Sequence, residues 1–111
     1  MASMTPEAQA EKLLLEITAS TLAGLAVKLA PTTYGVPDRL VVLPGGTLEL
    51  IELKARGGRL RPDQIAWIAN ANARGVNVTV LTGPDEIHSW AATHLEQIRN
   101  AGYPHPLGGV W

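Results

Sequence analysis

Set at about 100° intervals, the helix over residues 6–23 and its continuation place Leu14, Leu15, Leu22 and Leu25 on one side and Gln9, Lys12, Glu16 and Ser20 on the other, as an amphipathic helix does. Thr5-Pro6-Glu7 supplies its start: a hydroxyl cap, a proline in the first turn, and an acid near the positive end of the helix dipole. Glu7 and Glu11 break the division, because both fall on the apolar side. Residues 25–29 read as a short strand, and residues 31–37, with two prolines and Gly35, as a loop. Two apolar, branched runs follow, 40–43 and 48–54, separated by Pro44-Gly45-Gly46, so a hairpin is expected. In its second strand Leu50, Glu52 and Lys54 share one face, and Ile51 and Leu53 the other.

After Gly57-Gly58 the pattern returns to helical spacing. Pro62 opens a helix over residues 62–74, Gly75 closes it, and Ile65, Ile68 and Ala69 form its expected inward stripe. Residues 76–81 read as a strand and 85–100 as a last helix. The tail, 101–111, is expected to be irregular but apolar enough to dock on the domain or on a second subunit. Residues 1–4 carry no pattern, and nothing is built on them. The element order, αβββαβ and a final helix, predicts a mixed α/β sandwich with at least one crossover.

Composition narrows the class. A chain of 111 residues with 46% hydrophobic side chains suits one domain, 1–111, with a core over about 5–100. The formal net charge of -1 lacks the basic excess usual in nucleic-acid binders, yet Lys54, Arg56, Arg59 and Arg61 cluster in one short stretch. The absence of cysteine excludes disulfides, thiolate metal sites and a cysteine nucleophile, and suits a reducing cytoplasm. The amino-terminal apolar stretch is interrupted by Glu16, Thr18, Ser20, Thr21 and Lys28, which rules out a bilayer span there, and it lacks the layout of a secretory signal. A cytoplasmic protein with no membrane partner is expected.

The candidate chemistry lies between Gly35 and Gln64. An acid at the start of one hairpin strand, Asp38, and Glu52-x-Lys54 on its partner bring three charged groups to one edge of the sheet. Two carboxylates with room for water suit magnesium or manganese, which keep several waters and share phosphate oxygens with a substrate. Such a metal lowers the pKa of a bound water and offsets charge on phosphate, and Lys54 can orient that water and stabilise the transition state. On its own, Glu-x-Lys on a strand is usually a solvated face with a weak ion pair. The surrounding apolar sheet and the carboxylates on the first helix give it more meaning.

Gly35-Val36-Pro37-Asp38-Arg39, Ile51-Glu52-Leu53-Lys54-Ala55, Gly58 and Gln64, in that order, resemble the virus-type replication-repair nuclease (VRR-NUC) domain of the PD-(D/E)xK superfamily. The resemblance spans roughly residues 5–87. It implies a restriction-endonuclease-like αβββαβ core with a mixed central sheet flanked by helices. It implies a metal-dependent phosphodiesterase, phage-encoded in some members, acting as a homodimer on branched DNA such as a Holliday junction, where two matched incisions call for a two-fold pair of sites. By the same resemblance Asp38, Glu52 and the Leu53 carbonyl are metal ligands, Lys54 is the catalytic lysine, and Gln64 supports the site. The family's helix glutamate corresponds to Glu11, with Glu7 second and Glu16 turned away beside Lys12. Where the family often has a serine or threonine before the glutamine-bearing helix, this chain has Arg61-Pro62-Asp63, so a weaker cap or a phosphate contact is expected. The rival readings are a flap, nick or sequence-specific nuclease, and a DNA-binding module of the same fold that does not cut.

Arg39, Arg56, Arg59, Arg61 and Lys28 are candidate phosphate contacts, set against the plainer reading of a solvated loop. His88, His94 and His105 share no ligand spacing and have no partner acid, and are read as surface residues. Gly45-Gly46 lacks the Lys-Ser or Lys-Thr of a phosphate-binding loop and serves as a turn. Trp67 is expected in or near the core.

Overall fold

The computed structural model describes residues 3–111; Met1 and Ala2 lie outside it. The elements are α1 (Pro6–Ser20), β1 (Leu25–Lys28), β2 (Arg39–Leu43), β3 (Thr47–Lys54), α2 (Pro62–Ala73), β4 (Val78–Thr82) and α3 (Gly83–Ala101). The four strands form one mixed sheet in the order β1-β2-β3-β4. The first two pairings are antiparallel, and β3 pairs with β4 in parallel through the α2 crossover. The αβββαβ core read from the pattern is therefore the observed architecture. None of the helices is long and apolar enough to cross a membrane, among the described residues.

Local chemistry sets the element ends. The Thr5 hydroxyl accepts from the Ala8 amide at 3.1 Å, capping α1 as expected, with Pro6 in the first turn. The helix ends at Ser20, three residues short of the expected 23. Ala23 turns to a φ of 51° and the Gly24 amide bonds back to the Thr18 carbonyl at 2.9 Å, closing the helix before the strand begins. The β2–β3 hairpin closes over Gly45 and Gly46, both at positive φ, with the Gly46 amide on the Leu43 carbonyl at 3.1 Å.

The two faces of the sheet differ. Val41, Leu43, Ile51 and Leu81 meet Ala10, Leu14 and Ile17 of α1 and Ile87, Trp90, Ala91 and Ile98 of α3 in one buried core. Leu15, expected on the apolar side of α1, is instead 45% exposed; the inward stripe is Ala10, Leu14, Ile17 and Thr18, the positions one helical turn apart. The opposite face carries Leu25, Val27, Leu40, Val42, Leu48 and Leu50, which the register places side by side. α2 covers only part of this face, and Leu25 and Leu48 remain 65% and 60% exposed. The same incomplete cover corrects the reading of α2. Ile65 and Ala69 are exposed, whereas Gln64 and Ala71 are buried, with Trp67 and Ile68 half-buried between them. The tail is irregular and docked: Trp111 packs against the core, and its Nε1 donates to the Tyr103 carbonyl at 2.7 Å.

Candidate active site

The hairpin register sets the geometry. Arg39 pairs with Ile51, and one step outward Asp38 falls opposite Glu52. Two residues on, along the same face of β3, the Lys54 Nζ stands 3.5 Å from Glu52 Oε1. Gln64, buried in the first turn of α2, donates from Nε2 to the same Oε1 at 2.5 Å. Its own Oε1 accepts the Arg61 amide at 2.9 Å. Gln64 thus caps α2 and holds Glu52 at once, which is how the helix manages without a serine or threonine cap. The Arg61 guanidinium meanwhile pairs with Asp63 at 3.2 Å.

Gly35 explains how α2 reaches the site. Its φ is +87°, and a Cβ there would lie 2.5 Å from the Asp63 carbonyl oxygen. The loop before Asp38 therefore touches the backbone at the start of α2, an approach open only to glycine. Glu7, Glu11, Asp38, Glu52, Lys54 and Gln64 line one cavity of about 490 Å³ at this end of the sheet. Burial pushes the Glu52 carboxyl above the usual range and the Asp38 charge adds to the rise, against the opposing pull of Lys54 and Arg61. The two acids are close enough to repel.

The candidate phosphate contacts divide. Arg39 is 7% exposed, so it does not present its guanidinium to solvent. It forms ion pairs with Asp38 Oδ1 at 2.7 Å and Glu11 Oε1 at 2.9 Å. The sequence carried a signal for this, since Arg39 has the parity of Val41 and Leu43, the core-facing positions of β2. Arg56 pairs with Asp85 at 3.3 Å on the surface, and Arg59 is exposed. Lys28 is exposed, 3.9 Å from Glu11. Glu16 pairs with Lys12 away from the cavity, as expected. Glu11 and Glu7 both line the cavity, and Glu16 does not.

The VRR-NUC domain family model matches residues 3–85. The chain belongs to the VRR-NUC family. A solved structure described as a VRR_NUC domain superimposes with a TM-score of 0.66 at 27% identity, covering 90% of this chain and all of the other. A phage protein named "Putative nuclease p44", from Acyrthosiphon pisum secondary endosymbiont phage 1, is 42% identical over 65 residues, 58% of this chain and 70% of its own length. The VRR-NUC chain is thus a nuclease domain, in agreement with the resemblance drawn from its motifs.

The VRR-NUC domain also contains a second polar cluster, on the far face of the sheet. Glu49, 4% exposed, accepts from Trp90 Nε1 at 3.1 Å, from the Thr79 hydroxyl, and from His94 Nε2 at 2.8 Å. This corrects the reading of His94 as a surface residue without an acid partner: the partner lies 45 residues away in sequence, beyond any local spacing. The available signal was Glu49 itself, which shares a strand face with Ile51 and Leu53. Burial pushes the Glu49 carboxyl up, but the hydrogen bonds from His94, Thr79 and Trp90 and the His94 charge together draw it below the ordinary range. The folded value is depressed, so the ionised form contributes stability that is complete above the unfolded glutamate pKa and is lost as pH falls through the folded value. Glu49→Gln is therefore expected to lower neutral-pH stability by about 2 kcal/mol and to flatten the acid limb. Chemical denaturation from about pH 7 to about pH 3 measures both; an acid limb as steep as the parent's would assign it to other carboxylates.

Proposed function

We propose that this VRR-NUC domain is a magnesium-dependent DNA endonuclease that cuts branched DNA, a Holliday junction in particular, as a homodimer. One observation carries the metal reading. Each of the facing acids has one oxygen held closely by the protein, Glu52 Oε1 by Gln64 and Lys54 and Asp38 Oδ1 by Arg39, while among the described residues Glu52 Oε2 and Asp38 Oδ2 take no hydrogen bond. Among the described residues no three Asp, Glu or His side chains converge as a full ligand set. Two hard carboxylate oxygens beside the Leu53 backbone suit a cation that keeps most of its waters, as magnesium does and calcium or zinc does less well. Asp38, Glu52 and the Leu53 carbonyl would hold it. Bound there, the cation would supply Lewis-acid neutralisation of the phosphate and a water of lowered pKa.

The chain's own groups do the rest. Lys54, half-buried and anchored to Glu52, keeps an ammonium over the cavity, where it donates to a non-bridging phosphate oxygen and orients the attacking water. Gln64 fixes the rotamer of Glu52, so that the acid does not reorganise as charge develops. Arg56, Arg59, Arg61 and Lys28 offer sequence-independent contacts to the phosphates on either side. A second copy has a natural place to dock: the half-covered sheet face with Leu25 and Leu48 is apolar and lies on the same side as Glu52 and Lys54.

The deciding experiment incubates the protein with single strands, duplex, flaps and four-way junctions, each with magnesium, manganese or a chelator. Paired, symmetry-related cuts in the junction, lost with the chelator, are expected. Cleavage confined to flaps or nicks would replace the junction reading, and binding without cleavage in every metal would leave a module that only holds DNA.

A further inference from the structure

Arg39 poses an energetic question. A buried guanidinium costs several kcal/mol in desolvation, and an apolar side chain of similar volume often serves stability as well or better. Its neighbours on the same face of β2, Val41 and Leu43, are such side chains. What sets Arg39 apart is where its donors go. Nη1 lies 2.7 Å from Asp38 Oδ1 as an ion pair and donates to the Asp38 carbonyl at 3.3 Å, and Nη2 forms an ion pair with Glu11 Oε1 at 2.9 Å. The planar fork spans two acids on different elements, α1 and the start of β2, a bridge that a lysine's point charge does not reproduce.

We propose that Arg39 is a positioning residue for the cation site: it pins one oxygen of Asp38, leaves the other to face a metal, and ties that acid to α1 through Glu11. The inference rests on the metal-nuclease reading. The Glu11 Oε1 in this bridge is shared with Lys28, at 3.9 Å.

Charge and geometry predict opposite signs, which makes the proposal testable. By Coulomb's law alone, removing a cation beside the acids tightens binding of a divalent metal. If Arg39 positions Asp38, removing it weakens binding despite the more favourable charge. Calorimetric titration of manganese into the full chain, without DNA, reads this directly. Arg39→Met is expected to weaken binding about tenfold, and Arg39→Lys to recover only part of the loss. Thermal melting of the metal-free variants guards against a folding defect, since a chain that melts cooperatively near the parent's temperature has kept its fold. Equal or tighter metal binding by Arg39→Met in a chain that keeps its fold overturns the proposal. If the parent chain binds no manganese, the metal-nuclease reading itself fails, a result distinct from that one.

Discussion

Glu52→Gln is expected to abolish cleavage, by about a thousandfold or more, in a protein at least as stable as its parent. On the proposed metal reading the activity loss follows from the charge: a neutral amide would neither pair with Asp38 to hold a divalent cation nor anchor the Lys54 ammonium. The stability gain follows from the direction of the pKa shift. Burial and Asp38 push the Glu52 carboxyl up, so the folded chain holds its proton to higher pH than the unfolded chain does. Stability therefore falls as pH rises from the unfolded value to the raised folded one, and the deficit persists at neutral pH. Glutamine removes that deficit while still accepting from Gln64 Nε2. DNA cleavage in single turnover and thermal melting at neutral pH test the two halves. A variant that is inactive and also melts well below the parent would show that Glu52 is chiefly structural.

Gly35→Ala should be strongly destabilising, by about 2–4 kcal/mol. The backbone there is in the left-handed region, and the new methyl carbon would sit 2.5 Å from the Asp63 carbonyl oxygen, a backbone atom that no side-chain rotation moves aside. Either the loop or the start of α2 must shift. Gln64 lies one residue beyond Asp63, so the strain reaches Glu52 directly, and cleavage should fall together with stability. Gly46→Ala provides the control, since it has a similar φ of +84° and no atom within 4 Å of the added carbon. It is expected to pay only the conformational penalty, about 1–2 kcal/mol, and to cut normally. Equal behaviour of the two variants in urea denaturation and in cleavage would remove the contact with Asp63 as the cause.

These two expectations show which parts of the molecule were legible in the chain. The hairpin was, because Pro44-Gly45-Gly46 between two apolar runs leaves few other structures, and period two then places Glu52 and Lys54 on a common face. The Gly35 position was visible as part of a motif, but its reason was not: the clash partner, Asp63, lies 28 residues on and meets it only after α2 docks. The inward stripe of α2 was misread for a related reason. Helical periodicity finds a stripe, whereas which stripe is buried depends on how much sheet the helix covers, and α2 covers little. Arg39 and Glu49 were hidden by their charge. Each occupies a strand position whose parity points to the core, and a residue's usual exposure outweighed that parity until partners from distant segments were in view.

The order of the strands in the sheet is also their order in the chain, and this shapes how the site assembles during folding. Asp38 and Glu52 are joined by an antiparallel pairing that needs only a three-residue turn, among the shortest loop closures a sheet offers. The two acids are therefore expected to meet when that hairpin forms, and Gln64 and the parallel strand β4, which depends on the crossover, to follow. In that order the repulsion between the acids would be met in an exposed hairpin, where water screens it, before α2 buries it. A chain that assembled the same acids through its parallel pairing would have had to bring two like charges together in its slowest step.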